Sequence, residues 1–155
     1  MKRLLMVAVL VASTVSLFAG GTSQSGDGGT PTIGVAIYRF DDTFMSATRN
    51  AIQQNATGKA TLRLVDSQNT QPTQNDQIDQ FIAQRVNAMA INPVDRTAAG
   101  TIIDKARAQN IPVVFFNREP TRADMAKWDK VYYVGAKAED SGTFQGQIIA
   151  DWLNQ

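Results

Sequence analysis

The sequence predicts an α/β fold: an open, mostly parallel, doubly wound sheet with helices on both faces. Three observations point there. Short apolar runs begin near residues 33, 61, 88, 111 and 131, and each is followed by a longer amphipathic stretch or connection. Such alternation of strand and helix patterns is what a parallel sheet with crossover helices requires. Finally, the units share a pattern but no common motif, which argues against a solenoid.

The first strand is Ile33-Gly-Val-Ala-Ile-Tyr38, followed by a helix over Thr43 to Asn55. Thr61 to Val65 is the second strand. In Thr73 to Val86, the residues Ile78, Phe81, Ile82 and Val86 fall on one helical stripe. Ala88 to Ile91 forms the third strand. Ala98 to Gln109 is a helix with Ile102, Ile103 and Ala106 facing inward and Asn110 as its stop. Ile111 to Phe116 is the fourth strand, with Pro112 confined to its start because proline cannot donate to a ladder. Val131 to Gly135 is the fifth, and Asp140 to Leu153 the last helix.

Ahead of this domain, residues 1–20 have the form of a secretory signal peptide. Lys2 and Arg3 precede an apolar run that ends in small residues, too short and interrupted for a membrane span. Leu17-Phe18-Ala19-Gly20 also has the outline of a lipoprotein signal, but glycine stands where the lipidated cysteine would be. The expected fate is therefore export, with membrane association if the leader is retained. Residues 21–32, rich in Gly and Ser, form a flexible linker.

Composition removes several chemistries. The 155 residues include no Cys and no His, so disulfides, thiolate nucleophiles, Ser-His-Asp triads and imidazole metal clusters are excluded. Without Lys2 and Arg3 the chain has 13 basic and 14 acidic residues, a net charge of −1, which gives no footprint for nucleic acid. No G-x-G-x-x-G follows the first strand, and Thr57-Gly58-Lys59-Ala60 lacks the rest of a phosphate loop. No calcium-loop string occurs, so no metal and no cofactor is expected. Gly142 and Gly146 are spaced for close packing of their helix against a neighbour.

Ligands of open α/β sheets bind beyond the carboxyl ends of the strands. Those ends carry Arg39-Phe-Asp-Asp-Thr-Phe44, Asp66-Ser-Gln-Asn69, Asn92-Pro-Val-Asp95 and Asn117-Arg-Glu119. Carboxylates accept from hydroxyls, amides donate and accept, and an aromatic ring covers an apolar C–H face, a set suited to a neutral polyhydroxylated ligand. Each residue has a structural reading beside this one. Asp41 and Asp42 fit helix capping, Asn117 a turn, Phe44 core packing with Met45 and Ile52, and Asp66 and Asn69 a solvated loop.

Ile33-Gly-Val-Ala-Ile-Tyr-Arg-Phe-Asp-Asp-Thr-Phe-Met45, Asp66-Ser-Gln-Asn69, Gln74-Asn-Asp-Gln-Ile-Asp79, Ala90-Ile-Asn-Pro-Val-Asp95, Pro112-Val-Val-Phe-Phe-Asn-Arg-Glu-Pro120 and Tyr132-Tyr-Val-Gly135 closely resemble the periplasmic galactose/glucose-binding proteins, the solute-binding components of sugar ABC transporters. The resemblance runs from Ile33 to about Leu153. Ribose-binding proteins and sugar-responsive repressors are less similar around Asp41 to Phe44 and Phe115 to Glu119. By matching motif the resemblance implies that Asp42, Phe44 and Asn117 contact the sugar; Tyr38, Asp66, Asn92 and Glu119 are candidates to line the cleft or to support the residues that do, with no role assigned. It implies a monosaccharide ligand, galactose or glucose, an ABC-transporter permease as partner, and no catalysis; chemoreceptor docking stays open.

The family has two lobes and about twice this length. The expected organisation is therefore a sugar-binding lobe over 33–135 and the start of a truncated second lobe over 136–155. The last helix would expose Phe144, Ile148, Ile149, Trp152 and Leu153, and hexose binding would be impaired for want of a second wall. Two other classes stay in view. A self-contained flavodoxin-like domain, possibly an enzyme using Asp42 or Asp66, would fold on its own. A repressor half would need a helix-turn-helix ahead of the first strand, where the export-like leader stands.

Overall fold

The structure, a computed structural model, describes residues 29–154. The leader and most of the linker lie outside the described residues. Eleven elements follow in order: β1 (Thr32–Ile37), α1 (Thr43–Ala56), β2 (Thr61–Asp66), α2 (Gln71–Ala83), β3 (Ala88–Ile91), a 3-10 turn (Arg96–Ala98), α3 (Ala99–Ala108), β4 (Val113–Phe116), α4 (Arg122–Met125), β5 (Val131–Val134) and α5 (Ala138–Leu153). The strands form one sheet in the order β2-β1-β3-β4-β5, and every pairing is parallel. The α/β, doubly wound expectation holds.

The central strands β1, β3 and β4 are covered on both faces, which explains why they read as apolar runs instead of alternating ones, while the outer strands β2 and β5 keep exposed residues. On one face Ala36, Met89, Ile91, Val113 and Phe115 pack with Ile78 and Phe81 of α2 and Ile102 and Ile103 of α3. The opposite face gathers Val35, Ile37 and Phe116 under Met45 of α1. Gly34 belongs to the first contact: a Cβ there would stand 2.6 Å from the Phe81 ring, so the close approach of α2 to β1 requires glycine.

The predicted elements are all present, and their ends shift by a few residues. α2 starts earlier than expected because Pro72 sits in its first turn, where its missing N–H costs nothing. β4 begins at Val113, one residue after Pro112, whose carbonyl still accepts from the Met89 N–H at 2.9 Å. Asn110 ends α3 as expected, with a left-handed φ of 55°. The 3-10 turn and α4 were not expected: with three and four residues they carry no periodic stripe to read.

Residues 139–154, nearly all of α5, are exposed. The expected exposure of Phe144, Ile148, Ile149, Trp152 and Leu153 is observed, each at 59–71%. Packing accommodation at Gly142 and Gly146 is not: no atom of a neighbouring segment lies within 4 Å of a Cβ built at either.

Candidate functional site

After β1 the chain crosses to β2 on one side, and after β2 it returns to place β3 on the other side of β1. The direction of winding therefore reverses between β1 and β3, where a crevice opens at the carboxyl edge. β1, β3 and β4 are neighbours, so their exit loops flank this point within about 10 Å of one another, two strand spacings.

The β1 exit carries Asp42, the N-cap of α1, whose Oδ1 accepts from the Met45 N–H at 2.7 Å. Its Oδ2 accepts from the Tyr38 hydroxyl, also at 2.7 Å. Donation from Met45, then from Tyr38, holds the Asp42 carboxyl below the ordinary aspartate range. The same bond to Asp42, with burial second, pushes the Tyr38 phenol above its usual value. Capping is thus part of Asp42's role, and a carboxylate offers about four lone-pair positions, so acceptor capacity is left over. Asp41 does not cap; it pairs with Arg39, Nε to Oδ1 at 2.9 Å.

Phe44 is 64% exposed while its neighbour Met45 is 1% exposed. The core-packing reading of Phe44 is therefore incorrect: one residue is a 100° turn of the helix, and Met45 takes the inward direction. A large ring held open to water on the first turn of α1, beside Asp42, stands at the crevice rim.

Asn92, at the β3 exit, is fully buried. Its Oδ1 accepts from the Tyr38 N–H at 3.3 Å, and its Nδ2 donates to the Phe116 carbonyl and to Asn117 Oδ1, each at 3.1 Å. Asn117, at the β4 exit, is exposed and left-handed (φ 63°), a conformation asparagine tolerates. Its turn reading is correct: the Arg118 N–H donates back to the Phe116 carbonyl at 2.7 Å around it. Tyr38 and Asn92 thereby join Asp42 and Asn117 into one connected set. Asp66 and Asn69, at the exit of the outer strand β2, border the same edge: Asp66 Oδ1 accepts from the Gln68 N–H at 2.8 Å in a local turn, and the Asn69 N–H donates to the Tyr38 carbonyl at 2.6 Å. Glu119 contributes its carbonyl, which accepts from Arg96 Nε.

Two further side chains escape the sequence reading. Gln74 is fully buried: its Nε2 donates to Ser67 Oγ and the Asn92 carbonyl at 3.0 Å, and its Oε1 accepts from the Val94 N–H at 3.0 Å. It ties the β2 exit to the β3 exit. The available signal was a polar residue on the inward stripe of α2, four residues before Ile78 and seven before Phe81. Arg118 is half-buried, with Nη1 donating to the Val94 carbonyl at 2.6 Å and the Pro93 carbonyl at 3.2 Å, and its guanidinium carbon 3.9 Å from the Tyr38 ring centre. No spacing in the sequence distinguishes it.

The sheet order β2-β1-β3-β4-β5 is common to flavodoxin-like domains as well, so topology alone leaves two classes open. Residues 33–155 match the periplasmic binding protein domain. The chain belongs to that family. As a periplasmic binding protein domain it is 44% identical over 148 residues to the D-galactose/methyl-galactoside binding periplasmic protein MglB of Haemophilus influenzae, covering 94% of this chain and 45% of that relative. A putative rhizopine-binding protein of Rhizobium meliloti is 36% identical over 126 residues, 79% of this chain and 40% of the relative. Among solved structures, an ABC transporter solute binding protein from Bacillus halodurans with bound myo-inositol superposes with a TM-score of 0.74 at 30% identity, over 84% of this chain and 44% of that one. The chain spans less than half the length of these relatives. They are named for binding and transport, not for catalysis, and the reading of this periplasmic binding protein domain as a binding module instead of an enzyme follows them.

Proposed function

We propose that the chain forms one wall of a sugar cleft, and that it serves in the periplasm to present a hexose, galactose or glucose, to the permease of an ABC transporter. In this reading residues 33–135 are the wall, residues 136–155 begin the opposing lobe, and residues 1–20 direct export. The observation that carries it is the grouping at the crevice: a carboxylate, Asp42, and an amide, Asn117, on strand exits flanking the switch point, with the Phe44 ring exposed at the rim. Asp42 would accept from a ring hydroxyl, Asn117 would bridge hydroxyls, and Phe44 would cover one apolar sugar face. The 44% identity to a galactoside-binding relative favours a hexose among possible sugars.

One wall buries one side of a pyranose, whereas sites that hold small ligands tightly bury most of the ligand surface. Binding by this chain alone should therefore be weak. Titrating it with galactose and with glucose under NMR observation should shift the Asp42, Phe44 and Asn117 resonances only at high sugar concentration. Phe44→Ala and Asn117→Gly, the latter keeping the left-handed backbone relaxed, should reduce those shifts. A folded chain whose three residues ignore both sugars would defeat the reading, and micromolar affinity would defeat the one-wall account.

A further inference from the structure

We propose that Arg118 is a positioning residue for Asp42, acting through Tyr38: its guanidinium holds the tyrosine ring against the β3 exit, and the tyrosine hydroxyl in turn fixes the direction of the carboxylate. The consequence for sugar recognition rests on the reading of Asp42 given above; the linkage itself does not.

The geometry is continuous across the crevice. Arg118 Nη1 is anchored on two backbone carbonyls of the β3 exit, Val94 at 2.6 Å and Pro93 at 3.2 Å. Its guanidinium stands 3.9 Å from the Tyr38 ring centre, well inside the ~6 Å reach of a cation–π contact. The hydroxyl of that ring donates to Asp42 Oδ2 at 2.7 Å. Arg39, the other cation near this ring, is farther at 5.9 Å and is engaged with Asp41.

The arrangement matters because of how an aspartate moves. The terminal torsion of its side chain is broad, so a single donor leaves the carboxylate plane free to swing. Met45 supplies one donor from the helix, and Tyr38 supplies a second from the β1 exit; together they fix the plane. Tyr38 can do this only if its own ring is held; the ring packs against the Val35, Ile37, Met45 and Phe116 cluster, and the flat guanidinium stacks on it as well. Among the described residues Arg118 makes no ion pair with a carboxylate, so its charge is directed at the ring and the two carbonyls. Recognition of a hydroxyl by a carboxylate depends on direction, so a swinging Asp42 would bind less well.

The test reads the titration of the Asp42 carboxyl by carbon-detected NMR, and galactose affinity by chemical shift, on the full chain. Tyr38→Phe should raise the Asp42 midpoint by removing a donor, and Arg118→Met should raise it in the same direction. Galactose binding should weaken on the order of tenfold in each, the size expected for losing one hydrogen bond to a charged group. In the double variant the midpoint should move no further than in Tyr38→Phe alone. Arg96→Met, which removes a neighbouring cation off this path, should leave it unchanged. An unmoved midpoint in Arg118→Met, or additive shifts in the double variant, would overturn the proposal. Should Arg118→Met fail to fold, Arg118→Lys retains the charge without the planar group and is expected to raise the midpoint as well; no change there would count equally against it. A wild-type chain insensitive to galactose would refute the ligand reading while leaving the midpoint comparison intact.

Discussion

α3 and α5 are both amphipathic, yet they sit at opposite extremes of burial. α3 spends Ala99, Gly100, Ile102, Ile103 and Ala106 on the core, half of its ten residues. α5 carries larger apolar groups, among them Phe144, Ile148, Ile149 and Trp152, and leaves all of them in water. An apolar stripe states that a helix has a face to bury, not where the surface that receives it lies. α3 finds the sheet and the side of α2; α5 finds no surface that buries its apolar side chains.

The contrast is sharpest under truncation. Ile103→Ala should destabilise the domain by about 2–5 kcal/mol, through lost transfer energy and the cavity left beneath the sheet. Ile148→Ala should change the unfolding free energy by less than ~0.5 kcal/mol, as exposed positions do. Equal effects in urea denaturation would mean that α5 docks on the sheet in solution. A glycine pair gives the next largest difference. Gly34→Ala drives a methyl into the Phe81 ring and should cost about 1–3 kcal/mol of overpacking. Gly142→Ala meets nothing and should instead raise the helicity of α5, with a gain of up to ~1 kcal/mol in helix propensity. Circular dichroism melts of the two variants would separate them, and a destabilising Gly142→Ala would reveal a hidden contact. The smallest effect is on pH. The Asp42 carboxyl titrates lower in the folded than in the unfolded chain, so its stabilising contribution is complete above the ordinary aspartate range and is lost as pH falls through the folded midpoint. Acid unfolding midpoints should therefore shift less steeply in Asp42→Asn, which keeps a cap but cannot titrate; an identical acid profile would remove that role.

The sheet was legible because parallel strands, buried on both faces, leave unbroken apolar runs such as Val35-Ala-Ile37 and Val113-Val-Phe-Phe116, and because α2 and α3 carry 3.6-residue stripes. α4 was not, since four residues cannot show a period. At the crevice the sequence could name the strand-exit loops but could not separate roles at Asp42: the oxygen that caps α1 and the one that faces Tyr38 belong to one carboxylate, and either reading alone describes half of it. Phe44 looked like a core residue because it adjoins Met45; only the helix rotation distinguishes them. Gln74 and Arg118 work by long-range contacts, 18 residues to Asn92 and 24 to Val94, that no local pattern encodes.

The Asn92 amide has a consequence for motion. With both ends occupied by partners from the ends of β1 and β4, the amide of the β3 exit acts as a rivet, and the loops it clasps can only travel together. A solute arriving at this surface would meet a stiff plate already in shape, so the entropy of organising it is settled during folding instead of at capture. Any motion of this edge must pivot outside that plate.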